Sequence, residues 1–457
     1  CCLVSRLRFR LGQRCLRIGV EIVISAFGEN NIRNDNDSQY HKYCSVRAPR
    51  RCVPNRARSA CIRRCRQASG LLGPGASLVS RARGSIPSRA HGGNLRALAA
   101  RSGRDAADIL DFSANINPLG TPARALEALR ASLAELGDYP DPACTALRVA
   151  IGAHLGVAAD RVLPGNGAEQ LIWWLPRLLR ARRVVVTAPC YLDYRRSAAV
   201  WGLEVAQVAL DAGSGFVLDA GGLAEQARDG DLVWIGRPNN PTGRMVERET
   251  IAALASARPN VWWAVDEAFV DFVDGAQSVA DLGLRNLITV RSMTKFYALA
   301  GVRLGYAVLA RDLAGTGRRL LPDWSVSTPA QRAGVAVLTD PELGAFAARS
   351  RELIRRERAA LGAALRELGA TVVDGAANYL LLRLPGSAPA GAVVADRLLR
   401  QCGIAVRTCD NYVGLDAAYL RVAVRGRADN ARLVAGLGGL LGSPVGGAPL
   451  PARPGPA

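Results

Sequence analysis

The segment Arg291-Ser-Met-Thr-Lys-Phe-Tyr-Ala-Leu-Ala-Gly-Val-Arg303 combines an amine, two hydroxyl groups and a guanidinium within 13 residues. It begins where the apolar run 287–290 ends, and that run predicts a buried strand. Lys295 has hydroxyl groups one and three residues before it, on Thr294 and Ser292. A cofactor that forms a Schiff base and carries a phosphate needs this combination of groups. The segment therefore predicts such a cofactor site just after a strand.

Lysine is rare in this chain, which makes Lys295 a candidate for covalent chemistry. The chain has 59 lysine and arginine residues, and the only other lysine is Lys42. A guanidinium stays protonated and delocalised, whereas a lysine amine can lose its proton and attack a carbonyl group. A sequence that uses arginine wherever a positive charge suffices would retain lysine where an amine is required. The alternative is a surface lysine that has survived by chance.

Three upstream motifs suit the other parts of such a cofactor. An apolar run that ends in Asp266 predicts a carboxylate at the carboxyl edge of a buried strand, where it can face a protonated pyridine nitrogen. The segment Arg237-Pro-Asn-Asn-Pro-Thr-Gly243 is a polar turn that contains Asn240. The segment Leu163-Pro-Gly-Asn-Gly-Ala-Glu-Gln170 is a turn that enters a helix, where free N–H groups favour a phosphate. Each motif alone is common, but their joint order along one domain is specific.

The chain from residue 91 onward alternates apolar runs with segments of helical period, which indicates an α/β protein with a mainly parallel sheet. A long charged helical pattern at 341–368 leads into a smaller α+β domain. We predict an N-terminal arm at 91–120, a large domain at 121–335, a small C-terminal domain at 336–441 and a loose tail at 442–457. The predicted strands are 184–187, 205–210, 232–235, 262–265, 287–290 and 304–309, followed by 372–373, 380–384, 404–406 and 420–424 in the small domain.

The first 90 residues differ from the rest of the chain. They hold 18 of the 59 basic residues, only four acids and seven of the 11 cysteines, and they show no sustained helical or strand period. Zinc binding lacks a paired Cys-x-x-Cys spacing, nucleic-acid binding lacks interleaved aromatic residues, and a targeting peptide of this length is unusual. We interpret residues 1–90 as disordered or as translated from outside the native reading frame. Across the whole sequence, no apolar run approaches the roughly 18 residues of a membrane-spanning helix.

The order of the motifs around Lys295 resembles the pyridoxal-phosphate enzymes of the aspartate-aminotransferase fold type, in the branch that contains histidinol-phosphate aminotransferase. Within that branch, residues 91–441 are similar to the threonine-phosphate decarboxylases of cobalamin biosynthesis. The resemblance implies a mainly parallel seven-stranded sheet in the large domain, pyridoxal 5'-phosphate as the cofactor, and a homodimer. The segments that carry the narrower similarity are His91-Gly-Gly-Asn94, Leu110-Asp-Phe-Ser-Ala-Asn-Ile-Asn-Pro-Leu-Gly120, Tyr139-Pro-Asp141, Pro189-Cys-Tyr191 and Asp266-Glu-Ala-Phe269.

The resemblance also implies a role for each matching residue. Lys295 would form the Schiff base with the cofactor, Asp266 would keep its pyridine nitrogen protonated, and Asn240 would donate to its ring oxygen. Tyr191 would stack on the ring face, and Tyr139 would reach the cofactor phosphate from the neighbouring subunit. The other groups implied to bind that phosphate are the backbone amides of Ala168 and Glu169, with Ser292, Thr294 and Arg303. The implied substrate-binding residues are His91, Gly92, Asn115, Asn240, Arg407 and Arg421.

Phe269 stands where the aminotransferases usually carry tyrosine, and the decarboxylases share this departure. This departure supports the narrower similarity, and the resemblance implies decarboxylation of L-threonine O-3-phosphate, a small phosphorylated amino acid, to (R)-1-amino-2-propanol O-2-phosphate. The alternatives are a histidinol-phosphate aminotransferase or a related class I/II aminotransferase. A more remote alternative is that residues 1–90 form an arginine- and cysteine-rich nucleic-acid or zinc module and that the rest of the chain is inactive.

The sequence also supports expectations about compartment and partners. The four cysteines beyond residue 90, from Cys144 to Cys409, are spaced too irregularly for a metal site and suit free thiols in a reducing cytoplasm. We therefore expect a cytoplasmic enzyme with no metal, no nucleic-acid partner and no membrane partner.

Overall fold

The computed structural model describes residues 91–442. The interpretations of residues 1–90 and of the tail beyond residue 442 lie outside the described residues. The α-helices of the described range are α1 (Leu95–Ser102), α2 (Ala123–Ala131), α3 (Thr145–Leu155), α4 (Gly167–Leu178), α5 (Leu192–Val200), α6 (Ala220–Gln226), α7 (Arg248–Ala257), α8 (Arg311–Leu320), α9 (Thr328–Leu338), α10 (Leu343–Glu367), α11 (Gly391–Arg397) and α12 (Arg427–Leu441). The β-strands are β1 (Leu110–Asp111), β2 (Val162–Asn166), β3 (Arg183–Ala188), β4 (Glu204–Ala209), β5 (Asp231–Gly236), β6 (Trp262–Asp266), β7 (Leu287–Ser292), β8 (Leu304–Val308), β9 (Thr371–Val372), β10 (Tyr379–Arg383), β11 (Ile404–Ala405), β12 (Arg407–Thr408) and β13 (Tyr419–Ala423).

A seven-stranded sheet forms the largest layer, in the strand order β2-β8-β7-β6-β5-β3-β4. Strand β8 runs antiparallel to both of its neighbours, and the other pairs in this sheet are parallel. The predicted α/β class with a mainly parallel seven-stranded sheet is confirmed. The sequence patterns located six of these strands to within two residues at either end.

Strand β2 is the one that the apolar pattern missed. It contains Pro164 and Gly165, which we interpreted as a turn that enters a helix. The strand lies at the edge of the sheet, where Pro164 pairs in register with Tyr306 of β8. A proline lacks the N–H group that a central strand would need, but an edge strand tolerates it.

Both faces of the sheet are buried at strands β3 and β5, where every residue is buried. Successive side chains along each strand point to opposite faces. Val184 and Trp234 pack in one apolar cluster, while Val185 and Val233 pack in another. Buried strands of this kind appear in the sequence as continuous apolar runs, which explains why their positions were predictable. The parallel strands β6 and β7 end at the same edge of the sheet, with Asp266 and Ser292 as their last residues.

The C-terminal part of the described chain forms smaller sheets. Strands β9, β10, β12 and β13 make a four-stranded antiparallel sheet, and β1 pairs in parallel with β11. The segment predicted as an N-terminal arm therefore pairs with a strand of the segment predicted as the small domain, while the domain boundaries themselves stay a prediction. The helix expected at 341–368 is α10. None of the helices within residues 91–442 is long and apolar enough to cross a bilayer.

Candidate active site

An open cavity lies at the edge of the large sheet where β6 and β7 end. Ligands of open α/β sheets bind outside the carboxyl ends of the strands, so this is the position expected for a cofactor and a substrate. It is lined by every predicted cofactor and substrate residue except Tyr139, namely His91, Gly92, Asn115, Ala168, Glu169, Tyr191, Asn240, Asp266, Ser292, Thr294, Lys295, Arg303, Arg407 and Arg421.

One end of the cavity gathers donors for an anion at the start of α4. The hydroxyl oxygens of Ser292 and Thr294 lie 2.7 Å apart, and the first residue of α4 is Gly167. A Cβ at Gly167, which has a φ of +73°, would stand 2.8 Å from the Arg303 guanidinium, so glycine permits this close approach. Helix N–H groups, hydroxyl groups and a guanidinium together form a phosphate site.

Gly305 in β8 brings the strand against the same helix start. A Cβ at this position would lie 2.2 Å from the backbone nitrogen of Ala168, closer than any real side chain can come. The absence of a side chain at Gly305 therefore sets the distance between β8 and the backbone amides of α4.

The Lys295 amine lies at the cavity in a partly buried position. Burial, together with the positive charges of Arg421 and Arg303, lowers the pKa of this amine to about 8, against the opposing charges of Asp266 and Glu169. A lysine with this pKa is neutral in an appreciable fraction of molecules near neutral pH, and only the neutral amine attacks a carbonyl carbon.

The Asp266 carboxylate lies at the end of β6 and is held by two donors. Its Oδ2 atom accepts a hydrogen bond from the hydroxyl group of Tyr194 at 2.6 Å, and its Oδ1 atom accepts one from the Ala268 N–H at 2.9 Å. Burial raises the pKa of Asp266, while these two hydrogen bonds and the charge of Lys295 act in the opposite direction. The carboxylate is therefore fixed in orientation beside the cavity.

Tyr191, predicted to stack on the cofactor ring, is held by the side chain of Glu169. Its hydroxyl group donates to Glu169 Oε2 at 2.7 Å, and Trp173 Nε1 donates to Glu169 Oε1 at 2.6 Å. Burial raises the pKa of Glu169, and the nearby charge of Asp193 raises it further. The sequence predicted a role only for the Glu169 backbone amide, so this side-chain function was missed.

His91 is held by a buried aspartate in the first turn of α5. Its Nε2 atom lies 2.9 Å from Asp193 Oδ2, and Asp193 also forms an ion pair with Arg196. Burial would raise the pKa of Asp193, but the hydrogen bond and charge of His91 and the charge of Arg196 lower it overall. The Arg196 guanidinium lies over the ring of Trp173, and the rings of His91 and Tyr191 are 5.8 Å apart.

These contacts form a closed circuit of six side chains, which we call the Glu169 circuit. It runs through Glu169, Tyr191, His91, Asp193, Arg196 and Trp173, and from Trp173 back to Glu169. The circuit joins α4 to α5 and connects a predicted cofactor residue with a predicted substrate residue.

Two buried arginines lie on the substrate side of the cavity. Arg421 donates to Asn240 Oδ1 at 2.6 Å and to the Ser113 carbonyl oxygen at 2.8 Å. Arg407 donates to the Thr408 carbonyl oxygen at 2.6 Å, and its guanidinium lies over the ring of Tyr412. Two guanidinium groups in the lining make this side of the cavity suited to anionic groups.

Asn115 supplies a buried polar atom on the same side. Its side chain is 3% exposed and lines the cavity, and its Oδ1 atom has no hydrogen-bond partner among residues 91–442. Buried polar atoms are normally paired, so an amide oxygen in this state suits a donor group of a bound molecule.

Phe269 lines the cavity and packs edge-on against Tyr379, with ring centroids 5.0 Å apart. The hydroxyl group of Tyr379 donates to the Asn239 carbonyl oxygen at 2.8 Å and is therefore engaged elsewhere. The phenol that the aminotransferases carry at the position of Phe269 is thus not replaced by this neighbouring tyrosine.

Tyr139 lies away from the cavity of its own chain. Its side chain is 77% exposed, and its ring stacks on Trp324 with centroids 4.5 Å apart. The predicted role of Tyr139 in a neighbouring subunit stays a prediction.

Asp193 and Tyr194 were missed by the sequence analysis although both lie within three residues of Tyr191. Their contacts depend on where α5 lies relative to the end of β6 and on where the segment before α1 places His91. The spacing of residues along the chain does not show that these segments come together in the fold. The one available signal was the presence of ionisable side chains in an otherwise buried helix.

Comparison with known proteins supports the same class of enzyme. The pattern of the family "Aminotransferase class I and II" matches residues 107–437. The chain is 38% identical over 358 residues to threonine-phosphate decarboxylase from Salmonella typhimurium, an alignment that covers 77% of this chain and 96% of that protein.

Two solved structures extend the comparison to the fold. A histidinol-phosphate aminotransferase from Clostridium acetobutylicum has a TM-score of 0.68 and 29% identity, over 73% of this chain and 99% of that one. A histidinol-phosphate aminotransferase from Sinorhizobium meliloti, in complex with pyridoxal-5'-phosphate, has a TM-score of 0.70 and 24% identity, over 80% of this chain and 98% of that one. The chain belongs to the aminotransferase class I and II family, and as a member of that family it is an enzyme that depends on pyridoxal 5'-phosphate. Its resemblance to threonine-phosphate decarboxylase, predicted from the motifs, is confirmed.

Proposed function

We propose that this enzyme decarboxylates L-threonine O-3-phosphate to (R)-1-amino-2-propanol O-2-phosphate and CO₂, in the cytoplasm and as a homodimer. The observation that carries the proposal is that two sets of anion-binding groups line one cavity. The first set lies at the start of α4 with Arg303, and the second contains His91, Arg407 and Arg421. A cofactor phosphate would take the first set, which would leave the second for a substrate with both a carboxylate and a phosphate.

The residues present fit pyridoxal 5'-phosphate. Ser292, Thr294, Arg303 and the amides at the start of α4 would hold its phosphate, Asp266 would face its ring nitrogen, and Lys295 would bind it covalently. When bound, this cofactor supplies an electron sink for the electron pair left on the substrate Cα as CO₂ departs.

The chain's own contribution is orientation. Only a Cα bond perpendicular to the plane of the electron sink can release its electrons into it. A decarboxylase must therefore hold the bond to the carboxyl carbon in that direction, where an aminotransferase holds the C–H bond. Arg407, Arg421 and His91 would anchor the anionic groups of the substrate, so that binding energy from the remote phosphate supports this orientation.

The remaining step is proton delivery to Cα, which completes the product amine. Lys295 Nζ is suited to this transfer because an amine with a pKa of about 8 can both release and regain a proton near neutral pH. One proton is taken up for each CO₂ released, which balances the reaction.

The experiment that tests the proposal separates it from the alternative aminotransferase. Purified enzyme is incubated with threonine phosphate, and released CO₂ is measured alongside glutamate formed after 2-oxoglutarate is added. We expect CO₂ in proportion to amine product and no glutamate. Glutamate formation from histidinol phosphate without CO₂ from threonine phosphate would contradict the proposal.

Two controls define the site in that assay. Unphosphorylated threonine should give much less CO₂, because the anchoring of the phosphate is lost. Lys295→Arg should abolish both activity and the visible absorbance of the bound cofactor, since a guanidinium cannot form the covalent link. An adduct trapped by borohydride in Lys295→Arg would show that another residue binds the cofactor.

A further inference from the structure

The hydroxyl group of Tyr194 reaches the carboxylate of Asp266, which is predicted to face the cofactor. It donates to Asp266 Oδ2 at 2.6 Å and joins α5 to the end of β6. The ring of Tyr194 lies parallel to the indole of Trp234, with centroids 4.5 Å apart and an interplanar angle of 3°. The side chain is 2% exposed and lines the cavity. Its ring is therefore fixed by stacking and its hydroxyl group by Asp266.

We propose that Tyr194 is a positioning residue for the cofactor: it fixes the Asp266 carboxylate and keeps it ionised toward the cofactor's ring nitrogen. The proposal rests on the cofactor and on the predicted role of Asp266. It does not depend on which substrate the enzyme uses.

The two carboxylate oxygens of Asp266 have different protein partners. Oδ1 accepts the N–H of Ala268, and Oδ2 accepts the hydroxyl of Tyr194. Together these donors hold the plane of the carboxylate. Each oxygen can accept a second hydrogen bond, so the carboxylate retains capacity for the N–H of a pyridinium ring.

The charge state of Asp266 depends on the same contact. Burial raises the pKa of this carboxyl and so favours its neutral form, and the charge of Glu267 acts in the same direction. Tyr194, Ala268 and Lys295 face the group and oppose that shift. Of these three, Tyr194 supplies the side-chain hydrogen bond, and charge-assisted hydrogen bonds are the strong ones.

Tyr194 can act only as a donor in this pair. Burial and the negative charge of Asp266 hold the pKa of the phenol well above its usual range. The proton therefore stays on the phenol across the working pH range, and Asp266 Oδ2 remains the acceptor.

Tyr194→Phe tests the proposal because it removes the hydroxyl group and preserves the ring that stacks on Trp234. In the holoenzyme we expect cofactor binding about tenfold weaker or more, since a hydrogen bond to a charged group is lost. We also expect a change in the pH titration of the visible absorbance of the cofactor bound to Lys295. A more basic carboxylate takes a larger share of the ring proton, so the linking nitrogen keeps its own proton to higher pH and the midpoint rises.

The matched control is Tyr297→Phe, which removes another buried phenol, one that does not line the cavity. It should change neither the cofactor dissociation constant nor the titration midpoint. The charged groups that face Lys295 are Arg421, Arg303, Asp266 and Glu169, and all four are retained in both variants.

A double-variant cycle with Asp266→Asn shows whether Tyr194 acts through Asp266. In that background, Tyr194→Phe should shift the midpoint no further. Unchanged binding and titration in Tyr194→Phe would overturn the proposal, as would an equal effect of Tyr297→Phe or a full effect of Tyr194→Phe in the Asp266→Asn background. None of these measurements involves a substrate, so their failure is distinct from failure of the proposed reaction.

Discussion

Lys295 combines an unusual chain composition with an unusual environment. A chain that retains one lysine beyond residue 90 places it where burial and two arginines favour the neutral amine. The composition singled out the residue, and its burial and the surrounding charges favour the neutral form of its amine. The charges come from Arg303, within the same sequence segment, and from Arg421, more than 100 residues away.

The pH dependence of Lys295 follows from the direction of its pKa shift. Because burial lowers the pKa from 10.5 to about 8, the reactive neutral amine should increase as the pH rises through about 8 and level off above it. Acetylation of the cofactor-free chain with a trace of acetic anhydride, followed by mass spectrometry of the peptide that contains Lys295, measures this midpoint. A free lysine derivative in the same tube is the reference, and a midpoint near that of the reference would contradict the prediction.

Much of the candidate site was predictable because its residues follow strands or begin a helix. Lys295, Asp266 and Ser292 lie where parallel strands end, and apolar runs mark those ends in the sequence. Asp193 and Tyr194 lie on a helix whose sequence gives no indication of what packs against it. Strand β2 was not predicted for a related reason. Pro164 and Gly165 favour turns locally, but pairing with β8 at the edge of the sheet holds them in a strand.

The approach of β8 to α4 depends on Gly305. A methyl group there would meet the Ala168 amide, which is backbone and cannot rotate away, so Gly305→Ala should lower the free energy of unfolding by about 1–3 kcal/mol. It should also weaken cofactor binding, because the amides at the start of α4 shift. Chemical denaturation and a cofactor titration measure the two effects.

Gly301→Ala is the control for that change. It lies four residues earlier, and a Cβ there would have no neighbour within 4 Å. Equal losses in the two variants would show that the effect does not come from the contact with α4.

At the scale of the whole molecule, the residues that line the cavity lie between His91 and Arg421. The first 85 or so residues contain no periodic apolar face, so we predict that they are dispensable. A variant that begins at Ser88 and retains His91 should bind the cofactor and keep its activity. Loss of folding in that variant, or stoichiometric zinc in the full chain, would contradict the prediction.

The predicted homodimer has a test based on Tyr139. The resemblance implies that this tyrosine completes the phosphate site of a second subunit, and its exposed position outside its own cavity is compatible with that role. Heterodimers of Tyr139→Phe and Lys295→Ala chains should then contain one site with both changes and one with neither. Activity should return when the two impaired variants exchange subunits.

Two results would count against that arrangement. Proven heterodimers without recovered activity would mean that Tyr139 acts only as part of a turn. Full activity in a monomer would exclude a shared site.

The Glu169 circuit has a consequence for how the enzyme tolerates mutation. In a closed circuit every member is reached by two routes, so one break leaves the members connected, whereas two breaks separate the circuit into pieces. Trp173→Phe removes the donor to Glu169, and Asp193→Asn weakens the links to Arg196 and His91. The loss of unfolding free energy in the double variant should therefore exceed the sum of the single losses by about 0.5–3 kcal/mol, as denaturant titrations of the four chains would measure. Simple additivity would mean that the six contacts stabilise the fold independently. If the losses are instead larger than additive, a population that carries either change alone hides a loss of stability that only the second change exposes.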